Sequence, residues 1–239
     1  MNEPPNDRGV RPAAGSPGAR TVRRSSVTFK ARRRGLSPAR QARFTEWLGR
    51  WGLDETGPVI DWSAEFGMPS LVVLDIGFGH GESISQMART DAATTIVGLE
   101  IHTPGVATLL QEIETHSLTN VRVVHGDALV FLDRVAPSSL AGVRIYFPDP
   151  WPKVRQHHRR FVDVEVVKAL TDRLMIGGTL HFATDIADYA RVMQGAGDAD
   201  ERLTGGEIER PPFRPMTRFE QRGIDEGRHP TDLWFVRQR

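Results

Sequence analysis

The chain has 239 residues, enough for one sizeable α/β domain with an appendage, and 39% apolar residues to fill its core. Its formal net charge of +1 hides an asymmetry: the first forty residues set ten Lys and Arg against Glu3 and Asp7, a local +8 that leaves the remainder at about −7. A basic arm on a mildly acidic body points to a polyanion, nucleic acid or an anionic membrane surface, and a chain without cysteine has no disulfides, thiolate metal sites, iron–sulfur clusters or thiol nucleophiles, which fits a reducing compartment.

Residues 1–24 are rich in Pro, Gly, Ala and Arg without periodicity and read as a disordered basic arm. The arm lacks the apolar core of a secretory signal. Its Arg- and Ser-containing, acid-poor character leaves an organellar transit peptide as the alternative, against which Pro4, Pro5 and the scattered glycines argue. No apolar run reaches the ~18 residues of a membrane span, so the expectation is a cytoplasmic protein with no membrane partner. Residues 25–60 form a basic helical N-terminal segment. In SPARQARFTEWLGRW, Ser37 is an N-cap, Pro38 takes the first helical position, and Ala42, Phe44, Trp47, Leu48 and Trp51 are helically spaced.

Residues 61–239 carry the main domain, in which short β-branched runs alternate with helical stretches, the pattern of a parallel sheet with crossover helices. The expected strands are 71–77, 95–101, 121–127, 143–149 and 179–185, with helices over 82–90, 104–117, 128–135, 161–175 and 186–194. A final pair of strands is expected around 218–221 and 233–237. Five carboxylates fall at or beside the strand ends: Asp75, Glu100, Asp127, Asp149 and Asp185. Acids gather at such places as helix N-caps, but in open α/β sheets the ligand also sits at the carboxyl ends of the strands, so five in register mark one rim as the candidate site.

The first strand runs into Gly77, Gly79 and Gly81, glycines that let a turn approach a ligand closely at the start of a helix. A dinucleotide fingerprint would place its third glycine three positions after the second, where Glu82 stands, which weakens a nicotinamide reading. The observed G-x-G-x-G, with Asp75 two residues before it, resembles the first motif of class I S-adenosylmethionine-dependent methyltransferases. That resemblance implies a Rossmann-like α/β fold, a mainly parallel seven-stranded sheet with helices on both faces, and S-adenosylmethionine as cofactor. Such a donor wants a carboxylate for its ribose after the second strand, where Glu100 stands, and an acceptor for its adenine after the third, where Asp127 and Ala128 stand. Each acid alone also reads as a solvated loop carboxylate.

Without cysteine, methylation of a pyrimidine carbon through a thiolate adduct is excluded. The expected acceptor is then an atom with an available lone pair, or a heteroatom assisted by a carboxylate. In Phe147-Pro148-Asp149-Pro150-Trp151 two prolines hold an aspartate stiffly, and Trp151 offers a stacking face for a base. Lys153, Arg155, His157, His158, Arg159 and Arg160 follow and suit phosphate contact without sequence readout. A kinked surface turn with a solvated basic helix start is the plain structural alternative. The histidines read as RNA-facing or solvated, with no metal expected, since no ligand spacing joins them.

YFPDPWPKVRQHHRRFV closely resembles the signature of bacterial tRNA (guanine-N7)-methyltransferases, as do LDIGFGHGES, GLEIHTPGV, HFATDIADYA and RPMTRFEQRG. The similarity covers Val27 to Arg239. Where this family commonly has Glu, the chain has Asp75. The resemblance implies that Asp75, Glu100, Asp127 and Asp149 form the cofactor side, with Asp149 also the catalytic acid residue. It implies substrate binding by Lys153, Asp185, Thr217, Arg218, Phe219 and Glu220, RNA contact by Arg155, Gln156, His157, His158, Arg159 and Arg160, and guanine 46 of the tRNA variable loop as target. Guanine N7 carries a lone pair and no proton, so no general base is required; Asp149, with Asp185 or Glu220, is expected to orient the purine and stabilise its developing charge. A small-molecule methyltransferase and a catalytically silent RNA-binding protein on the same fold remain the alternatives, and monomer and homodimer both stay open.

Overall fold

The computed structural model describes residues 36–67 and 70–239; the arm, with Lys30 and Arg32 to Arg34, lies outside the described residues. Helix α1, Pro38–Trp51, begins after Ser37 with Pro38 in its first turn, although the Ser37 side chain makes no capping bond. A short α2, Trp62–Phe66, is capped by the Asp61 carboxylate. Then β1 (Leu71–Ile76), α3 (Glu82–Thr90), β2 (Thr94–Glu100), α4 (Thr103–His116), β3 (Val121–His125) and α5 (Ala128–Phe131) alternate. After them come β4 (Leu140–Tyr146), α6 (Val164–Arg173), β5 (Leu174–Thr184), α7 (Ala187–Asp198), β6 (Leu203–Ile208), α8 (Arg218–Asp225) and β7 (Thr231–Arg237).

The strands form one seven-stranded sheet in the order β3-β2-β1-β4-β5-β7-β6. Only β7 runs antiparallel, to both β5 and β6. Runs such as LVVLDI in β1 are apolar at nearly every position because both faces are covered. Alternate residues then feed two cores: Val72, Leu74, Val97 and Leu99 join Phe131, Val166 and Tyr189 on one face, while Ile96, Val121 and Val123 meet Phe44, Ile84 and Leu110 on the other. Phe44 and Trp51 place α1 in the second core, so the described part of the N-terminal segment packs onto α4 and β3 rather than standing apart.

The end of the chain differs from expectation. Residues 218–221, expected as a strand, open helix α8, because the Thr217 side chain accepts from the Glu220 N–H (3.0 Å) while the Glu220 carboxylate accepts from the Thr217 N–H (3.4 Å). The missing strand is β6, whose Gly205 and Gly206 weaken its apolar alternation and which pairs with β7 alone. Strand order reverses between β1 and β4, and at such a point the diverging crossovers leave a crevice above the carboxyl ends.

Candidate active site

Because β3, β2, β1, β4 and β5 are parallel neighbours, Asp127, Glu100, Asp75, Asp149 and Asp185 come to one edge of the sheet in that order. The turn after β1 takes positive φ at Gly77, Gly79 and Gly81. It lies so close to α4 that a Cβ on Gly105 would sit 1.9 Å from the Gly79 carbonyl oxygen. Glu100 holds the turn from the other side: Oε2 accepts from the Gly79 N–H (2.9 Å), and Oε1 accepts from Ile101 (2.7 Å) and His102 (2.9 Å). Those three bonds leave about one of the carboxylate's four acceptor positions for a ligand hydroxyl.

Asp75 is 2% exposed, and its Oδ2 has no partner among the described residues. Burial pushes its carboxyl up to about 7, against the pull of Arg144 on the neighbouring strand and with a push from Glu100. A buried oxygen without a partner beside a glycine turn is a position where a polar ligand group would be satisfied. Asp127 caps α5 through the Leu129 N–H (2.8 Å), and Ala128 is buried behind it. Glu55 adds an acid that the strand-end pattern did not single out: Oε2 accepts from the Asp127 N–H (2.6 Å) and fills the space over Gly126, where a Cβ would meet it at 2.2 Å. Only contact in the fold marks it, since the chain returns there through Arg134, which donates to the Asp54 and Pro58 carbonyls. Among the described residues the donor set is therefore a glycine turn with buried and half-buried carboxylates and no clustered cations, which fits a cationic, ribose-bearing molecule better than a phosphate.

On the acceptor side Asp149 is exposed, and partial burial raises its carboxyl above the usual range while Arg159 pulls it back. It stands in a strained turn, since Phe147 and Trp151 both have positive φ (50° and 41°) and the Phe147 N–H is tied to the Ala183 carbonyl at 2.7 Å. The Arg159 guanidinium lies 3.8 Å from the centre of the Trp151 ring, so one stacking face expected for a base carries a cation. Lys153, Arg155 and His158 are exposed, Gln156 and His157 half-buried. Arg160, expected at the RNA, turns inward: it is 3% exposed, donates to the Pro150 carbonyl (3.0 Å) and Asp188 (2.6 Å), and packs on the Tyr189 ring.

Helix α8 reaches over the glycine turn. Arg218 pairs with Glu82 at 2.5 Å, and a methyl on Gly79 would touch the Phe219 ring at 3.6 Å. Asp185 pairs with Arg228 at 2.6 Å and abuts Gly223 of the same helix. Thr217 is spent as the cap. Glu220, expected at the substrate, is 1% exposed and both its oxygens accept from Arg214 at 2.7 Å. Arg214, the first residue of RPMTRFEQRG but given no role there, is itself 1% exposed.

A family model described as "Putative methyltransferase" matches residues 69–233. The tRNA (guanine-N(7)-)-methyltransferase of Streptomyces avermitilis is 41% identical over 230 residues, covering 94% of this chain and 78% of its own. That of Nitrosomonas europaea is 39% identical over 206 residues, covering 84% and 92%. Among solved structures, the 30S ribosomal A1408 methyltransferase from an uncultured bacterium superposes with a TM-score of 0.52 at 13% identity, over 75% of this chain and 95% of that one, a likeness of fold. With the glycine turn, the acid rim and the Asp149 turn lying inside the matched span, this chain belongs to the tRNA (guanine-N7)-methyltransferase family.

Proposed function

We propose that this chain transfers a methyl group from S-adenosylmethionine to N7 of a guanine in tRNA, at position 46 of the variable loop. The observation that carries the reading is the juxtaposition on one rim of an acid-lined glycine turn with the Asp149 turn, from which exposed Lys153, Arg155 and His158 lead away. Bound S-adenosylmethionine supplies an electrophilic methyl on a sulfonium. Asp75, Glu100, Asp127, Ala128 and the 77–81 turn would hold it, Glu100 through its remaining acceptor position. Asp149 orients the guanine through its N–H edge and stabilises the positive charge that methylation leaves on the ring, without taking a proton, since N7 has none to give. Lys153, Asp185, Thr217, Arg218 and Phe219 would complete the substrate side, Phe219 reaching over the glycine turn at Gly79. Phosphate contacts by Arg155, His158 and Arg159 would fix the tRNA without reading its sequence.

A tRNA substrate accords with a cytoplasmic protein, and among the described residues no helix is long and apolar enough to cross a membrane. A small-molecule acceptor would leave the exposed basic segment without a use. The test is to offer tritiated S-adenosylmethionine with unmodified tRNA or with free guanosine: label in tRNA alone is expected. Label in guanosine would restore the small-molecule reading, and label in neither would leave a silent RNA-binding protein.

A further inference from the structure

Beneath the Asp149 turn runs a chain of buried polar side chains. The Tyr146 hydroxyl is 2.8 Å from His181 Nδ1, His181 Nε2 is 2.7 Å from Asp232 Oδ1, Asp232 Oδ2 accepts from Arg214 at 2.8 Å, and Arg214 makes two parallel bonds to Glu220 at 2.7 Å. His181, Asp232, Arg214 and Glu220 are each no more than 2% exposed. A neutral histidine with its proton on Nε2 satisfies both neighbours, donating to Asp232 and accepting from Tyr146. Burying a guanidinium and two carboxylates costs several kcal/mol per ion in desolvation, and apolar residues fill such a space at least as stably. What ions add is direction: a guanidinium held by two carboxylates has one orientation.

That orientation joins the two halves of the acceptor site. Glu220 is the third residue of α8 and closes the capping box of the turn that carries Thr217, Arg218 and Phe219. On its other flank the Arg214 guanidinium lies 5.6 Å from the ring centres of both Tyr146 and Phe147, the last residue of β4 and the first of the turn that presents Asp149. Resting on the functional reading above, we propose that Arg214 is a positioning residue for methyl transfer, holding the Asp149 turn and the first turn of α8 at a fixed separation through its grip on Glu220 and Asp232.

A double-mutant cycle tests this. Arg214→Lys keeps the charge but loses the planar pair of bonds, and it should lower kcat on tRNA about tenfold, as sub-ångström misplacement of reacting groups does, while the affinity for S-adenosylmethionine stays within about twofold. In an Asp149→Asn background the same change should cost less than about twofold, because the group being positioned is gone. Equal losses in both backgrounds, an undiminished rate, or a parallel collapse of donor binding would overturn the inference while leaving the functional reading in place. A wild-type protein inactive on tRNA would overturn both. Tyr146→Phe, which removes one hydroxyl, runs through the same cycle if Arg214→Lys does not fold, with the same non-additivity expected.

Discussion

In the proposed reading Asp149 acts through its field and its hydrogen bonds to the guanine N–H edge, so removing its charge is the sharpest residue-level change. Asp149→Asn should lower kcat at saturating tRNA and donor on the order of 10²-fold, with donor affinity far less affected; initial-rate methylation assays check this, and unchanged turnover would contradict the role. Asp75 makes a prediction about pH. Burial raises its carboxyl from 3.8 to about 7, so the fold favours the protonated form. Below pH 3.8 folded and unfolded chains both carry the proton. Between there and about pH 7 the unfolded chain releases it first, and stability is lost progressively, on the order of 4 kcal/mol at most. Asp75→Asn, neutral throughout, should gain on the wild type in thermal melts of the donor-free protein as pH rises from about 5 to 7.5; parallel curves would contradict it. Two neighbouring arginines should separate cleanly. Exposed Arg155→Ala should weaken tRNA binding and flatten its salt dependence by about one unit of slope without moving Tm. Buried Arg160→Ala should lower Tm, losing about 1–3 kcal/mol with its bonds to Pro150 and Asp188.

At the scale of elements, the glycine turn owes its place to α4 as much as to its own glycines. Gly105→Ala would set a methyl 1.9 Å from the Gly79 carbonyl oxygen, which neither helix backbone nor turn yields easily. Isothermal titration with S-adenosylmethionine should therefore show at least tenfold weaker binding; wild-type affinity would mean that the turn has no fixed place. Strands β1 to β5 were legible because each is a short apolar run bounded by turn residues, and most ends fell within four residues of those expected, although β5 starts at Leu174, inside the stretch expected as helix. β6 was illegible because two glycines and exposed positions carry almost no pattern at a sheet edge. For α8 the signal was present, as Thr217 and Glu220 spell a capping box, although 218–221 was expected as a strand. Burial of charge was the least legible quantity. Arg160 and Glu220 look like surface residues in sequence, and only partners brought from elsewhere in the fold, Asp188 for one and Arg214 for the other, take them out of water.

The whole molecule combines a sheet whose order reverses between β1 and β4 with a basic N-terminal sequence, and in the proposed reading donor and acceptor meet at the crevice this reversal leaves. Truncating residues 1–35 removes nine Lys and Arg. It should raise KM for tRNA more than it lowers kcat and make affinity less dependent on salt, because such contacts work by counterion release; an unchanged salt slope would dismiss the arm from binding. Everything else turns on which atom receives the methyl group. Unmodified tRNA incubated with the purified protein and methyl-labelled S-adenosylmethionine, then digested and mapped, should carry its label as N7-methylguanosine at position 46, whereas label on any other atom or nucleotide would contradict the account.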